Sequence, residues 1–155
     1  MTKPVFLMRR ALAAPFPAPA FPVGIRLVPF EEHHALAAHA LLADAYARGG
    51  GAVPSRFVEW WSVVSTDDEF DPGLCFVALD TDGKMAGFAL CWTSSFIKDI
   101  AVAAPYRRQG VGEALLLAAF AALKARGNEQ VGLKVETENP SGAQRLYERL
   151  GFVIG

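Results

Sequence analysis

The sequence predicts a fold of the α+β class, a mixed α/β arrangement in which helices flank a central, mostly antiparallel sheet. Apolar residues follow helical spacing early in the chain, change to short strand-like runs in the middle, and return to helical spacing after Gly110. The order is strand, two helices, three strands, helix, strand, helix, strand, which with one N-terminal run gives six to seven strands. With 155 residues, 52% of them hydrophobic, the chain can bury one core without metals or disulfides.

The first 24 residues are interpreted as an arm in front of this fold. Val5 to Met8 is a short strand-like run, and the stretch after it is rich in alanine, phenylalanine and proline. Four prolines between positions 15 and 22 favour an extended path over a helix. The same prolines, and the late position of Arg9 and Arg10, argue against a secretory signal peptide.

Two helices are predicted after a first strand over Ile25 to Val28. The first covers Glu31 to Ala47, with acidic residues in its first turn, and is closed by the glycines at 49–51. The second follows Pro54. Its apolar residues have the spacing of one buried stripe, and they are Phe57, Trp60, Trp61 and Val64.

The middle of the chain predicts three strands in an antiparallel meander. They cover Leu74 to Leu79, Lys84 to Trp92 and Phe96 to Ala103, and a Thr-Asp-Gly turn joins the first two as a hairpin. Because a doubly wound dinucleotide-binding fold requires a parallel sheet, this hairpin argues against an oxidoreductase.

The residue pattern in the C-terminal third of the chain predicts a helix, a strand, a second helix and a last strand. A helix begins at Gly110 and ends before Gly127, the expected C-cap, and is followed by a strand over Val131 to Glu136. The second helix covers Ser141 to Leu150 with Ser141 as the N-cap. The last strand is Gly151 to Ile154.

Composition argues against several classes of partner. The net charge of −1 provides no basic field for a nucleic-acid backbone, and no apolar run reaches the roughly 20 residues that span a bilayer. Cys75 and Cys91 lie in apolar runs without metal or redox spacing and are interpreted as buried thiols. The three histidines, at 33, 34 and 39, are interpreted as exposed helix residues, so that no metal is expected. We expect a cytoplasmic protein that binds neither nucleic acid nor membrane.

The segment Arg107-Arg-Gln-Gly-Val-Gly112 carries the clearest chemical signal. It lies between a predicted strand and a helix start, where free backbone N–H groups and the helix dipole stabilise a bound anion. Glycines allow a phosphate to approach the backbone, and the two arginines add positive charge. The segment therefore predicts a pyrophosphate site, the alternative being an ordinary turn with two surface arginines. A nucleotide P-loop would require Gly-Lys-Ser/Thr, which is missing.

This segment resembles the Arg/Gln-x-x-Gly-x-Gly/Ala signature of the GNAT superfamily of N-acetyltransferases. A second block, Asn139…Ala143…Tyr147…Gly151-Phe152, is similar to a later block of that family and follows in the same order. The resemblance covers roughly residues 96–154. It implies a single acetyltransferase domain over residues 1–155, with a sheet splayed between its fourth and fifth strands.

The resemblance further implies acetyl-CoA as co-substrate. Loop amides hold the pyrophosphate in that family, and the preceding strand offers backbone groups to the pantetheine arm. Asn139 would contact this arm or cap a helix. The implied cofactor-binding residues are Ile100, Ala101, Val102, Arg107, Arg108, Gln109, Gly110, Val111, Gly112 and Asn139.

Catalytic roles follow from the same resemblance and from the needs of the reaction. Acetyl transfer requires a base for the amine and an acid for the departing thiolate. Tyr147 is the predicted acid, and its alternative role is core packing. Asp99 is the predicted base, with Glu136 and Glu138 as rivals. The acceptor pocket would lie near Tyr46, Trp60 and Trp61, at least one tryptophan being interpreted as core.

The predicted activity is acetylation of a primary amine on a small molecule or peptide. The alternative is a non-catalytic module that binds acyl-CoA. The family normally has one further strand after the Gly-Phe strand, and the sequence ends at Gly155. We expect Val5 to Met8 to supply this strand, within the molecule or across a homodimer, unless the sequence is a piece of a longer protein.

Overall fold

A computed structural model describes residues 4–136 and 142–155, and the strands in them form one seven-stranded sheet. The order across the sheet is β2-β3-β4-β5-β6-β1-β7. The strands are β1 (Val5–Ala11), β2 (Arg26–Pro29), β3 (Cys75–Leu79), β4 (Met85–Trp92), β5 (Phe96–Val102), β6 (Gln130–Glu136) and β7 (Val153–Ile154). The predicted α+β class and the number of strands are confirmed.

The helices of the described residues flank this sheet. They are α1 (Ala35–Tyr46), α2 (Phe57–Ser65), α3 (Val111–Ala125) and α4 (Ala143–Arg149), with short 3-10 turns at Glu32–His34, Pro72–Leu74 and Ala104–Tyr106. Gly110 precedes α3 with a φ of +91°, and Gly127 follows it with a φ of +89°, both left-handed conformations that glycine adopts without strain. The predicted N-cap Ser141 lies outside the described residues. No helix in the described part of the chain is long and apolar enough to cross a bilayer.

The sheet opens between β5 and β6. Strands β2 to β5 pair antiparallel in sequence order, as the meander predicts. By contrast β5 and β6 are parallel and pair only at Phe96–Gly132 and Ile97–Leu133, after which the two strands separate. The second half of β5 therefore has backbone groups that no neighbouring strand uses.

The N-terminal run forms a strand inside the same molecule. β1 extends three residues beyond Met8 and lies between β6 and β7, antiparallel to both. Hydrogen bonds from Arg10 stabilise β1 in this position. Arg10 is 7% exposed, and its guanidinium donates hydrogen bonds to the carbonyl oxygens of Leu150, Ala11, Ala14 and Pro15.

The core has two parts, one on each face of the sheet. On one face α3 packs on the sheet with β1, β6, Tyr147 and Phe152. On the other face α1 and α2 pack around Trp60, Phe88 and Leu90. Both predicted buried thiols are confirmed: Cys75 and Cys91 are free and buried. Burial raises the pKa of Cys75 to about 12.

The prediction of exposed histidines is wrong for two of the three. His34 is 9% exposed and His39 is 6% exposed. His34 Nδ1 accepts a hydrogen bond from the N–H of Glu31 at 2.9 Å, and His39 Nε2 lies 2.7 Å from the carbonyl oxygen of Pro54. Each contact satisfies one ring nitrogen, which lowers the cost of burying the polar side chain.

Candidate active site

A cleft of about 830 Å³ fills the space where β5 and β6 separate. In the described residues its walls come from five parts of the chain: the end of α1 with the following loop, strand β5, the start of α3, the middle of β6, and α4. The volume is in the range of small-molecule sites. Most predicted site residues in the described part of the chain line this cleft.

The start of α3 forms one end of the cleft. Its first turn contains Val111, Gly112 and Glu113, whose N–H groups have no partner within the helix, and all three residues line the cleft. A Cβ built on Gly110 would meet no atom within 4 Å, and one built on Gly112 would lie 3.5 Å from Val102. The surface above these amides is therefore open. This geometry fits the anionic group that the sequence predicts there.

The two arginines of the motif have different environments. Arg107 turns back towards β5, where its Nε donates to the carbonyl oxygen of Val102 at 3.1 Å, and its Nη2 lies 4.0 Å from the carboxylate of Asp44. Within residues 4–136 and 142–155, this buried Nη2 has no hydrogen-bond partner. Arg108 is exposed and has a left-handed φ of +60°. Gln109 bonds the carbonyl of Pro105 and is not among the lining residues.

Helix α4 adds cations beside the start of α3. Arg149 pairs with Glu113 of α3 at 2.9 Å, and both residues line the cleft. Arg145, one helical turn earlier on α4, also lines it. The start of α3 therefore faces positive side chains from α4, in addition to Arg108 of the preceding turn.

Asp99 lies deeper in the cleft and is 5% exposed. One carboxylate oxygen accepts a hydrogen bond from the Tyr46 hydroxyl at 2.8 Å, and the other lies 3.1 Å from Lys98 Nζ. The main-chain N–H of Ile100 hydrogen-bonds the Tyr46 oxygen. This N–H, which the resemblance assigned to the cofactor, is therefore in contact with Tyr46 in this structure.

A β-bulge sets the direction of Asp99. Asp99 pairs with Leu90 and Ile97 pairs with Cys91, so that Lys98 is one extra residue on β5. Ile97 packs in the core under α3, whereas Asp99 reaches Tyr46 on α1. A regular strand would place residues two apart on the same face, and the bulge moves Asp99 to the opposite one.

Tyr147 faces the same part of the cleft from α4. It is 8% exposed, and its ring centroid lies 5.8 Å from that of Phe152. Burial raises the pKa of Tyr147 to about 12. The pKa of Tyr46 is also raised, first by burial, then by the Asp99 charge and hydrogen bond, and to a lesser extent by Tyr147. Asp99, Tyr46 and Tyr147 thus form one cluster of side chains that can accept or donate a proton.

The tryptophans predicted near the acceptor do not reach the cleft. Trp60 is 2% exposed and packs against His39 and Trp61, with ring centroids 5.5 and 5.9 Å away. Trp61 contacts Phe70 and the same core. The stripe on α2 therefore faces α1 and the sheet, because burying large aromatic surface there stabilises the fold.

Of the other predicted residues, one makes a contact between two elements, three line the cleft and two are not described. Glu136, a rival base, accepts a hydrogen bond at 3.0 Å from the N–H of Gly50, and so connects the loop after α1 to β6. Ile100, Ala101 and Val102 line the cleft. Asn139 and Glu138 lie outside the described residues.

Sequence reasoning missed several lining residues, which are Arg48, Gly49, Gly50, Lys98, Lys134 and Arg145. The glycine run after α1 was interpreted only as a helix end, although such a run also allows a loop to pass close to another element. The basic residues gave no signal, because isolated surface lysines and arginines are common.

A group of potential metal ligands lies at the start of α1. Ligand atoms of Glu31, His33 and His34 come within 4.8 Å of one another. His34 Nδ1 already accepts the Glu31 N–H, and burial lowers the pKa of His34, which favours this neutral acceptor form. We interpret the group as a helix cap.

Two proteins similar to this chain are named as acetyltransferases. The chain is 36% identical to a mycothiol acetyltransferase from Thermobispora bispora, over 94% of this chain and 52% of that protein. It superposes on a GCN5-related N-acetyltransferase from Sphaerobacter thermophilus with a TM-score of 0.83 and 31% identity, over 97% of this chain and 48% of that one. The chain thus spans about half the length of these two relatives.

A third relative matches over more of its own length. The ribosomal-protein-S18-alanine N-acetyltransferase from Escherichia coli superposes with a TM-score of 0.63 and 28% identity, over 82% of this chain and 76% of that one. The model of the acetyltransferase (GNAT) family matches residues 31–152, which include the cleft from Tyr46 to Tyr147. Together with the open sheet and the glycine turn before α3, these matches establish that the chain belongs to the GNAT acetyltransferase family.

Proposed function

We propose that this protein transfers an acetyl group from acetyl-CoA to a primary amine of a small molecule or peptide. The observation that carries the proposal is that one cleft contains both the free N-terminus of α3 and the cluster of Asp99, Tyr46 and Tyr147. The first group suits the phosphates of a coenzyme and the second suits proton transfer. Relatives named for acetylation of mycothiol and of an alanine amine support the same reaction class.

The residues of the cleft suit acetyl-CoA. We assign the pyrophosphate to the amides at 110–112, with Arg108 and Arg145 supplying positive charge, and the pantetheine arm to the open edge of β5. The assignment of Asn139 to this arm stays a prediction. When bound, acetyl-CoA supplies a thioester whose carbonyl carbon is attacked by the neutral amine and whose sulfur departs as thiolate.

Tyr147 is assigned as the general acid. Because its pKa is raised to about 12, its phenol carries its proton throughout the neutral range. It can therefore donate this proton to the departing sulfur, and it recovers a proton from solvent after product release. Its position on α4 at the side of the cleft fits this role.

Asp99 is assigned as the base, acting through Tyr46. The Tyr46 hydroxyl donates to Asp99, so the amine proton can pass to the Tyr46 oxygen while the hydroxyl proton moves to the carboxylate. Tyr46 is unchanged in the transfer and Asp99 gains one proton. The rival Glu136 is hydrogen-bonded to the loop after α1.

Titration calorimetry with acetyl-CoA tests the binding half of the proposal. We expect wild-type protein to bind, and Gly110→Ala to weaken binding at least tenfold by placing a methyl group above the amides. Gly127→Ala is the matched control, since it has nearly the same φ (+89° against +91°) and equally open space at the other end of α3.

Equal binding by Gly110→Ala and Gly127→Ala would contradict the assigned phosphate site. An assay of thiol release with a library of amines tests the reaction itself. Binding of acetyl-CoA without turnover of any amine would refute the enzymatic proposal and support a non-catalytic acyl-CoA module.

A further inference from the structure

The cleft is far more basic than the protein as a whole. Among the residues that the structure describes, its lining contains two carboxylates, Asp99 and Glu113, and seven cationic side chains. The cationic residues are Arg48, Lys98, Arg107, Arg108, Lys134, Arg145 and Arg149. The whole chain has a net charge of −1, so positive charge is concentrated at this one site.

One group of these cations lies beside the start of α3, and we call it the phosphate side. It consists of Arg108, Arg145 and Arg149. Arg107 belongs to neither group, because its guanidinium turns back towards β5 and lies 4.0 Å from the carboxylate of Asp44. Arg149 pairs with Glu113 in the first turn of α3, and Arg145 lies one turn away on the same helix. These cations are accounted for by the phosphates of the coenzyme.

A second group lies on the opposite face of the sheet, and we call it the acceptor side. It consists of Arg48, Lys98 and Lys134, together with Tyr46 and Asp99. Arg48 is in the loop after α1.

The other two cations are placed on this face by the strands that carry them. Lys134 lies between Leu133 and Val135, which are buried under α3, so strand alternation directs it to the α1 face. Lys98 Nζ lies 3.1 Å from Asp99 and 6.0 Å from the Trp92 ring, which packs in the core with α1 and α2.

The phosphates do not account for the charge of the acceptor side. Lys98 is neutralised by its ion pair with Asp99. Within residues 4–136 and 142–155, neither Arg48 nor Lys134 forms an ion pair, and both are exposed on the cleft. Among the described residues, two cations without an ion-pair partner therefore line the acceptor side, while the nearby carboxylate of Glu136 is engaged by the N–H of Gly50.

We infer that the acceptor is an amine that also carries an anionic group, and that Arg48 and Lys134 bind this group. The inference rests on the proposed acetyl transfer. Two positive charges attract a carboxylate or phosphate and repel the additional ammonium groups of a polycationic acceptor. The amine itself, once neutral, is directed to the Tyr46 hydroxyl and Asp99.

Matched acceptors test this assignment. Ala-Ala is compared with Ala-Ala amide, O-phosphoserine amide with serine amide, and spermidine represents a polycation. We expect kcat/KM to be about tenfold higher for the anionic member of at least one pair, and the preferred pair distinguishes carboxylate from phosphate. Equal values within both pairs, or a preference for spermidine, would overturn the inference.

Variants separate this inference from the proposed function. Arg48→Gln combined with Lys134→Gln is expected to reduce the preference for the anionic acceptor about fivefold, whereas Arg145→Gln is expected to raise the KM of acetyl-CoA. Arg26→Gln, an exposed residue on β2 outside the cleft, is the control and should leave the preference unchanged. An unchanged preference in the double variant would overturn the inference.

Absence of turnover and absence of acetyl-CoA binding contradict different proposals. If the protein binds acetyl-CoA but acetylates none of these five compounds, the inference of an anionic acceptor is rejected. If the protein does not bind acetyl-CoA at all, the proposed function fails first.

Discussion

The phosphate side of the cleft draws its backbone groups from one short segment, residues 107–112, and the acceptor side draws its groups from four separate elements. On the phosphate side a turn and a helix start suffice, because the amides of α3 point in one direction by helix geometry. On the acceptor side α1, the following loop, β5 and β6 must first be packed together. A local motif can thus define the coenzyme site, whereas the acceptor site depends on the whole fold.

Tyr147→Phe should give the largest effect, since the proposed mechanism takes the proton for the departing sulfur from this residue. We expect kcat to fall about 10³-fold, in the range of a lost general acid, while the affinity for acetyl-CoA changes little. The phenyl ring keeps the packing on Phe152. Steady-state kinetics and calorimetry measure the two quantities, and an unchanged kcat would assign Tyr147 to the core alone.

Arg10→Ala tests how much the buried hydrogen bonds of the N-terminal strand contribute to stability. The substitution removes the donor from the carbonyl of Leu150 at the end of α4 and from three carbonyls of the arm. We expect the free energy of unfolding to fall by about 3 kcal/mol in urea denaturation. Arg9→Ala, an exposed neighbour on β1, is the control and should change stability by less than about 0.5 kcal/mol. Equal effects would show that the buried hydrogen bonds of Arg10 contribute little.

Gly51→Ala should damage the acceptor side selectively. A Cβ on Gly51 would lie 2.8 Å from the Tyr46 ring, so the ring must move away from Asp99. We expect a fall in kcat of about tenfold, because small displacements of catalytic groups are costly, with unchanged affinity for acetyl-CoA. Gly112→Ala is the counterpart on the phosphate side, where we expect weaker acetyl-CoA binding. The same response from both variants would contradict the separation of the two sides.

We expect the smallest change in kcat when the pH is raised into the alkaline range. Because the pKa of Tyr147 is about 12, kcat should show no loss from this group up to about pH 10. The folded-state pKa lies above the ordinary value of 10.0, so this tyrosine also leaves stability unchanged below pH 10 and lowers it between about pH 10 and 12. A pH profile of kcat, compared with that of Tyr147→Phe, measures the effect. Loss of activity near pH 8 that is absent in the variant would contradict the raised pKa.

Several features of the site could not be predicted because they depend on distant parts of the chain. The bulge at Lys98 turns Asp99 towards Tyr46, and nothing in the alternation of β5 marks the extra residue. His39 was expected to be exposed, yet it lies against the carbonyl of Pro54. Trp60 was expected near the acceptor, and the packing of α2 against α1 buries it instead. Each outcome was decided by contacts between segments far apart in sequence.

The order of the elements, the α+β class and the glycine turn before α3 can be predicted from local patterns, because hydrophobic spacing and turn chemistry act within a few residues. The resemblance carried by its motifs predicts catalytic roles for Tyr147 and Asp99, and both residues line one cleft. The contact between Tyr46 and Asp99, and the set of cations that line the proposed acceptor side, follow only from the folded chain. These depend on how β5 and β6 separate and on which face of the sheet each side chain occupies, and both are properties of the packed molecule.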